Sequence, residues 1–598
     1  GQLCPKNDGS KVTDVDRKAL DDCWKLVAAM KKEGIYTTIS PYWAVSCNVQ
    51  PSWNVDGFPS GQPMALLFWD ETLQRGYKAW VKALFTEPNP YTNIPLAKDP
   101  AVAIIQIQNE DSILFWSTQQ VKGEQRRKLG RKFGEVLKRT YGSLDAAKTA
   151  WSEAAHKDDD FADGVVGLYS IWELTEAKGN PRRRADQVKF YVRAMHTFNK
   201  EMAAHYRGLG CTQLINAGNW KTADDVRMLD LERLSYSVND VIGANKYYGG
   251  AHVNPNEARK SGYLVSQGDR FNSISALVNP RGLPVNYKQV EGLPSIISES
   301  SWVPPQRYQS EAPLLVAAYT SLSGMDVYYW FSCGDDLGFG RPMGKWQLTT
   351  PALVGGFPAA ALAFRKDYIQ RGEPVVREQR AYDDMWNLRS PIIAEDSSFD
   401  PNRAGENLAP SSNVKQGVHP LAFLVGPVLT RYRSDPAPSS VADLSDYIDD
   451  RSQVVRSNTG QIELNHAVGI CKVNAPKVQG VTGFLKPAGE VKLDSVSIKS
   501  ENEYATLIVV SMDDRPLRES RKILMQVGTV ARPHGWKVRE ATLGGKNGSK
   551  PAKGMEIVQR GSAPWNVTNT EMVVGVTNPS ITEAVLLDAN GMLVRQLS

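Results

Sequence analysis

Cysteine and histidine are both scarce in this chain, and their placement excludes two classes of protein. The six cysteines (Cys4, Cys23, Cys47, Cys211, Cys333, Cys471) include no closely spaced pair, and the seven histidines form no His-x-x-x-His. Neither a disulfide framework nor a zinc site has ligands at workable spacing, so no metal is expected. No glycine-rich turn of the Gly-x-Gly-x-x-Gly or Gly-Lys-Ser/Thr type follows an apolar run, which argues against a nucleotide site. Long apolar runs are missing as well. Pro351 to Phe364, the longest weakly polar stretch, is too short to span a bilayer and contains two glycines and two prolines. Nor is there an excess of one charge. The net charge is +5 over 598 residues, and the basic runs Arg126–Lys128 and Arg182–Arg184 lie in helical patterns with acidic neighbours. Solvated helix faces, not a nucleic-acid surface, are the expectation. The chain starts Gly-Gln-Leu-Cys without an initiator Met.

What is present is a chain too long for one ordinary domain and ordinary in composition, with 41% hydrophobic and 23% charged residues. Leu20 to Glu33 has the apolar spacing of an amphipathic helix, with Leu20, Trp24, Val27 and Met30 on one face. Gly34 stops it before a strand at Ile35 to Trp43. The alternation recurs. A helix near Asp70 to Phe85 precedes a strand at Ala101 to Gln108, and a helix at Phe190 to Leu209 precedes one at Gln213 to Trp220. Strands at Val241–Tyr248, Leu293–Glu299 and Met325–Phe331 follow. Such order predicts an α/β fold built on a parallel sheet buried on both faces, with a barrel of the TIM type favoured over an open doubly wound sheet.

Two of these strands deliver glutamates to their carboxyl ends, Asn109-Glu110 and Ser298-Glu299. A barrel keeps its chemistry at that end of its strands, and two carboxylates so placed suit glycosidic bond cleavage. For an arbitrary glutamate, a surface ion pair is the simpler account. Aromatic residues cluster at the same strand ends: Tyr42, Trp43, Trp53, Trp116, Trp220, Tyr248, Trp302 and Tyr329. Sugar stacking and core packing are the two roles open to them.

Residues 1–372 are read as the barrel domain and 373–450 as a loop-rich connector, with six prolines between Ala394 and Asp449. Residues 451–598 carry short alternating segments at Gln461–Asn465, Tyr504–Ser511, Lys522–Val530 and Ala584–Asp588, separated by Gly, Asn, Asp and Pro. That pattern predicts an antiparallel β-sandwich.

Asn109-Glu110, Tyr247, Glu299 and Trp330, taken in order along successive strands, resemble the clan A retaining glycoside hydrolases, the superfamily of the family five and family forty-two enzymes. The resemblance covers about Asp14 to Glu373. It implies a (β/α)8 barrel, Glu110 as acid/base and Glu299 as nucleophile. It further implies Asn109 as donor to the sugar 2-hydroxyl, Tyr247 as donor to the nucleophile and Trp330 as floor of the sugar site. Trp43, Trp220 and Trp302 are candidate pocket walls. Many relatives hold a histidine two residues before the tyrosine, where this chain has Asn245, and His252 is weighed as a substitute. A retaining pair stands about 5 to 5.5 Å apart.

The function implied is a retaining β-glycoside hydrolase acting on a β-linked oligo- or polysaccharide, with no cofactor, no nucleic-acid partner and no membrane contact. The alternatives are a non-catalytic carbohydrate-binding barrel and a transglycosylase using the same residues. In the family the Asn-Glu pair ends the fourth strand, and only one strand precedes it here. The first two strands are therefore expected to be missing, as in an N-terminally incomplete bacterial protein, secreted or periplasmic, whose signal is not visible in this chain.

Overall fold

The computed structural model describes residues 3–249, 252, 264–333, 343–396, 417–543, 551–588 and 590–597. The chain is a mixed α/β structure centred on six short parallel strands: β1 (Thr37–Ile39), β2 (Val102–Gln106), β3 (Leu214–Asn216), β4 (Ile242–Asn245), β5 (Ser295–Ser300) and β6 (Val327–Trp330). Neighbours in space are neighbours in this order. Ile39 pairs with Ile105, Ile105 with Ile215, Gly243 with Ile296, and Ile296 with Val327. A single bridge, Asn216 to Val241, joins the two halves.

Helices cover the outside of this arc. Arg17–Lys32 is capped by the Asp16 side chain and buries Leu20, Trp24 and Val27. Glu71–Thr86, capped by Asp70, buries Tyr77, Trp80 and Leu84. Pro181–Gly208 returns the chain to β3.

A closed eight-stranded ring, the fold expected from the family, is not formed by the described residues. Thr37–Ile39 and Val327–Trp330 exchange no backbone hydrogen bonds, and only the Thr38 and Tyr329 hydroxyls, 2.5 Å apart, span the seam. The consequence shows in burial. All four residues of β6 are half-exposed whereas all four of β4 are buried, and Ile35 and Tyr36, just before β1, are 50% and 72% exposed. A parallel strand buried on both faces needs partners on both edges, and β6 has β5 alone.

The stretch 373–450 carries more regular structure than its prolines and serines indicated. Val376–Ala381 and Val428–Arg433 pair in parallel, and the latter pairs also with Lys288–Val290, from the link between β4 and β5. Of the predicted connector, residues 397–416 lie outside the described residues.

Beyond it, seven antiparallel strands from Ile448 to Gly528 form one sheet, and a second is made by Glu490–Lys492, Val496–Ser500 and Met572–Val576. Val481, Leu507, Val509, Val496 and Ile498 fill the space between the two sheets. The other face of the large sheet lies on the helices Ala312–Ser323 and Phe357–Arg365, where Ile508 and Val510 meet Leu314, Leu315 and Ala359. That placement explains why every residue of Ala312–Ser323 is buried.

One carboxylate pins this junction. Glu311 accepts from Ser275 Oγ (2.5 Å), Ala276 N (2.8 Å), Trp302 Nε1 (2.8 Å) and the Tyr504 hydroxyl of the C-terminal sheet. Burial pushes it up to about 7 despite these donors. A carboxyl whose pKa is higher folded than unfolded stabilises the fold below its unfolded value, and that stability is lost as pH rises through the folded one. The protein should therefore lose up to about 3 kcal/mol between pH 5 and pH 8 through this group. Glu311→Gln, compared with wild type by denaturant titration at both pH values, should flatten that slope. An unchanged slope refutes the assignment.

Candidate active site

The site grows from the carboxyl ends of β2 to β5. Gln106, Asn109, Asn216 and Asn219 form a polar layer there. Asn219 Nδ2 donates to Asn109 Oδ1 (2.8 Å) and Gln106 Oε1 (3.3 Å), Asn216 Nδ2 donates to Gln106 Oε1 (3.0 Å), and Gln106 Nε2 donates to Ser40 Oγ (3.1 Å) and Asn109 Oδ1 (3.3 Å). Gly243 makes room for this layer, since a Cβ there would stand 2.5 Å from Asn216 Nδ2. The carbonyl of Asn109 is thus engaged twice.

Glu110 leaves the strand with φ 45°, in the left-handed region that a residue with a side chain enters at a cost of about 1–3 kcal/mol. Its backbone N–H donates to Asn219 Oδ1 (3.0 Å), which helps hold the turn. From β4, Asn245 Nδ2 donates to Glu110 Oε1 (2.9 Å), and its Oδ1 accepts from Ser298 Oγ (2.8 Å). Asn245 stands opposite Glu299 in the β4–β5 register. Tyr247 Oη donates to Glu299 Oε2 (2.6 Å). Glu110, Glu299, Asn245 and Tyr247 are therefore brought together.

Burial pushes the Glu299 carboxyl up to about 7, while the Tyr247 and Asn245 donors act in the opposite direction. Burial drives the Tyr247 phenol well up, and Glu299 and Glu110 add to it, so Tyr247 stays a donor.

Other predicted site residues lie elsewhere. Trp330 packs on Trp302, Tyr328 and Phe357, on the helix side of the arc. The expectation that it floors the sugar site is corrected: the rings beside Tyr247 are Phe331, at 6.3 Å, and Trp346, at 4.8 Å. The reason is strand alternation, which turns neighbours to opposite faces. Trp302 is fully buried, with its N–H given to Glu311, so it is core and not a pocket wall. Tyr42, Trp53 and Tyr248 are likewise buried. Trp43 and Trp220 are half-buried at strand ends, Trp43 bridged to Asn109. His252 is buried beside Leu264 O (3.0 Å) and Asp269 (3.6 Å) and does not take the place of the family's histidine.

Sequence reading missed the support behind Asn245 and Tyr247. Lys246, between them, donates to Glu395 Oε2 (2.5 Å) and Asn286 O (2.5 Å), and Arg233 donates to Glu395 Oε1 (2.7 Å). Burial acts to raise the Glu395 carboxyl, but these two cations outweigh it and hold it at about 2. No local motif marks Glu395, because its partners are more than a hundred residues away.

Among the described residues no group of three or more His, Cys, Asp or Glu could hold a metal ion, and no helix is long and apolar enough to cross a membrane. No protein-family profile matches the chain, and no curated protein does.

Solved structures similar to it include three sugar-cleaving enzymes. A β-galactosidase from the haloarchaeon Halorubrum lacusprofundi is 16% identical over 63% of this chain and 55% of its own, with a TM-score of 0.38. A β-galactosidase from Rahnella sp. R3 is 14% identical over 70% and 57%, at 0.41. An exo-β-agarase is 13% identical over 57% and 44%, at 0.35. The chain spans about half the length of these structures.

Removing the Glu395 charge leaves Lys246 and Arg233 buried without their anion, a loss of about 3–5 kcal/mol. Glu395→Gln should lower the urea midpoint accordingly, and a midpoint within error of wild type would show that the network is not needed.

Proposed function

We propose that the chain is a β-glycoside hydrolase that works with net retention, Glu299 attacking the anomeric carbon and Glu110 handling the proton. The observation that carries this reading is that one strand end serves both carboxylates: Asn245, opposite Glu299 in the register, donates to Glu110, and Tyr247 donates to Glu299. Two carboxyls grouped around neighbouring side chains of one strand end suit the close pair, about 5 to 5.5 Å apart, that retention uses. That favours direct attack, whereas an inverting pair stands about 6.5 to 9.5 Å apart to admit a water between substrate and base.

The chemistry follows from the donors. At the separation of a retaining pair two carboxyls do not both ionise readily, so one proton is shared between them. In the proposed mechanism the Tyr247 and Asn245 donors, which oppose the effect of burial on Glu299, stabilise it as the ionised nucleophile, and Glu110 serves as the acid. Glu299 then bonds to the anomeric carbon as Glu110 protonates the departing oxygen. In the second step Glu110 takes a proton from water, whose oxygen displaces Glu299. Asn109, its carbonyl already engaged, has its N–H2 available for the sugar 2-hydroxyl, and Phe331 and Trp346 supply ring surface beside the nucleophile.

Aryl β-galactosides, β-glucosides and β-mannosides test this directly. Glu299→Gln should reduce turnover at least about 10⁴-fold with the fold intact. Glu110→Ala should be rescued by azide, with a β-glycosyl azide as product. Wild-type activity in either variant, or a product of inverted anomeric configuration by NMR, would defeat the proposal.

The pH profile gives a second test. Tyr247 donates to ionised Glu299 and so lowers its pKa; without that donor the carboxyl keeps its proton to higher pH. Tyr247→Phe should move the acid-side limb of kcat/KM upward by about 1 pH unit, the equivalent of one charge-assisted hydrogen bond. An unmoved limb would remove Tyr247 from the mechanism.

A further inference from the structure

Four aromatic side chains lead outward from Glu110. Trp220 follows Asn219, whose side chain accepts the Glu110 N–H. It meets Phe115 edge-on, with centroids 5.0 Å apart, and the next residue, Trp116, lies 6.1 Å from Trp172 at a 40° tilt. Of the fifteen tryptophans in the chain, Trp172 is the one that is exposed, with 51% of its surface free. Burying such a ring would be favourable, so its exposure calls for an explanation.

Topology puts these rings at the catalytic end. Phe115 and Trp116 lie in the link leaving Glu110. Trp172 lies in the short helix Ile171–Thr175, just before Pro181–Gly208, the helix that carries the chain back to the start of β3. Its beginning therefore stands at the end of the arc where β2 finishes. The three links are also tied together there: Ala223 N donates to Leu114 O (2.9 Å), and Arg227 donates to Thr175 O.

Trp172 is displayed from a fixed frame. Ser170 Oγ accepts from Glu173 N (3.2 Å), and Ser170 N donates to the Glu173 carboxylate (2.7 Å), a reciprocal cap on the helix that holds the ring. The nearby Arg227 is neutralised by Asp224 (2.6 Å). A flat, held, uncharged surface suits the C–H face of a neutral pyranose.

Resting on the hydrolase reading above, we propose that Trp116 and Trp172 form a distal platform for sugars on the leaving-group side of a β-linked polysaccharide. The side follows from the chemistry. Glu110 protonates the departing oxygen, so the link that continues from Glu110 flanks the departing sugars. The substrate is accordingly a chain extending several units past the cleaved bond on its leaving-group side.

The test compares Trp172→Ala with wild type on aryl β-glycosides and on short and long cello-, manno- and agaro-oligosaccharides. The aryl group is too short to reach the platform. Expected are unchanged aryl-glycoside kinetics and, on long chains alone, a kcat/KM lower by about 3- to 10-fold, carried by KM. Trp172→Tyr should restore most of it. Equal effects on aryl and long substrates, or none on any, would overturn the platform.

If wild type cleaves none of these, the hydrolase reading fails and a binding arm decides the platform. Glu299→Gln is titrated calorimetrically with the same oligosaccharides, with and without Trp172→Ala. Weaker binding of long chains in the double variant supports the platform, while equal binding, or no binding by either, overturns it.

Discussion

The carboxylate of Glu395 is the contact on which the site's frame depends. Sealed from water, it faces Lys246 from the end of β4 and Arg233 from the helix Leu229–Tyr236. It also accepts the backbone N–H of Lys288 (2.7 Å), whose side chain in turn pairs with Asp230 (2.8 Å) and Glu378 (3.0 Å). Isolated buried charges cost several kcal/mol each, so this cluster is tolerable only when all its members are present. It therefore acts as a joint that closes in one arrangement: the strands Val376–Ala381 and Val428–Arg433 dock, and the backbone at Asn245 and Tyr247 is fixed with them.

A second constraint is the open seam. Six parallel strands curve enough to bring Thr38 to Tyr329, yet not enough for backbone pairing. The arc keeps its shape because its outer face is occupied. Helices from Arg17 to Gly208 pack the first half, and the second half is clamped by Ala312–Ser323 with the large antiparallel sheet behind it. Glu311 and Tyr504 make that clamp specific. The C-terminal sheets thus hold the half of the arc that lacks a following strand, which is a structural role for a domain whose sequence contains no catalytic signature.

Much of this was legible in the chain. The six strands were visible because each is a short apolar run closed by polar residues, and β2 and β5 betrayed their ends through Glu110 and Glu299. The alternating pattern after Val454 gave the antiparallel sheets through its period of two. Side-chain direction was harder to read. The resemblance placed Trp330 in the sugar site, but along β6 the alternation sets it against Trp302, Tyr328 and Phe357 and leaves Phe331 beside Tyr247. Long-range pairing was not legible at all. Lys246 and Glu395 are ordinary surface residue types whose burial is decided by how distant segments dock. Composition likewise hid the strands between 373 and 450, since the prolines and serines after Ala394 read as loop signals while Val376–Ala381 and Val428–Arg433 supply the pairing.

Asn245 stands where the resemblance leads one to expect a histidine. A histidine there would bring a second titrating group within reach of two carboxylates, and its protonation would follow theirs. An amide has no proton to lose near neutrality. Its nitrogen donates to Glu110, and Ser298 holds its oxygen so that the group keeps one orientation. Glu110 sits in a strained turn set by Asn219, and Glu299 sits near the end of β5, held by pairing on both sides, so neither is free to adjust to the other. Glu299 additionally accepts the Tyr247 hydroxyl, a donor that opposes the effect of burial on its carboxyl.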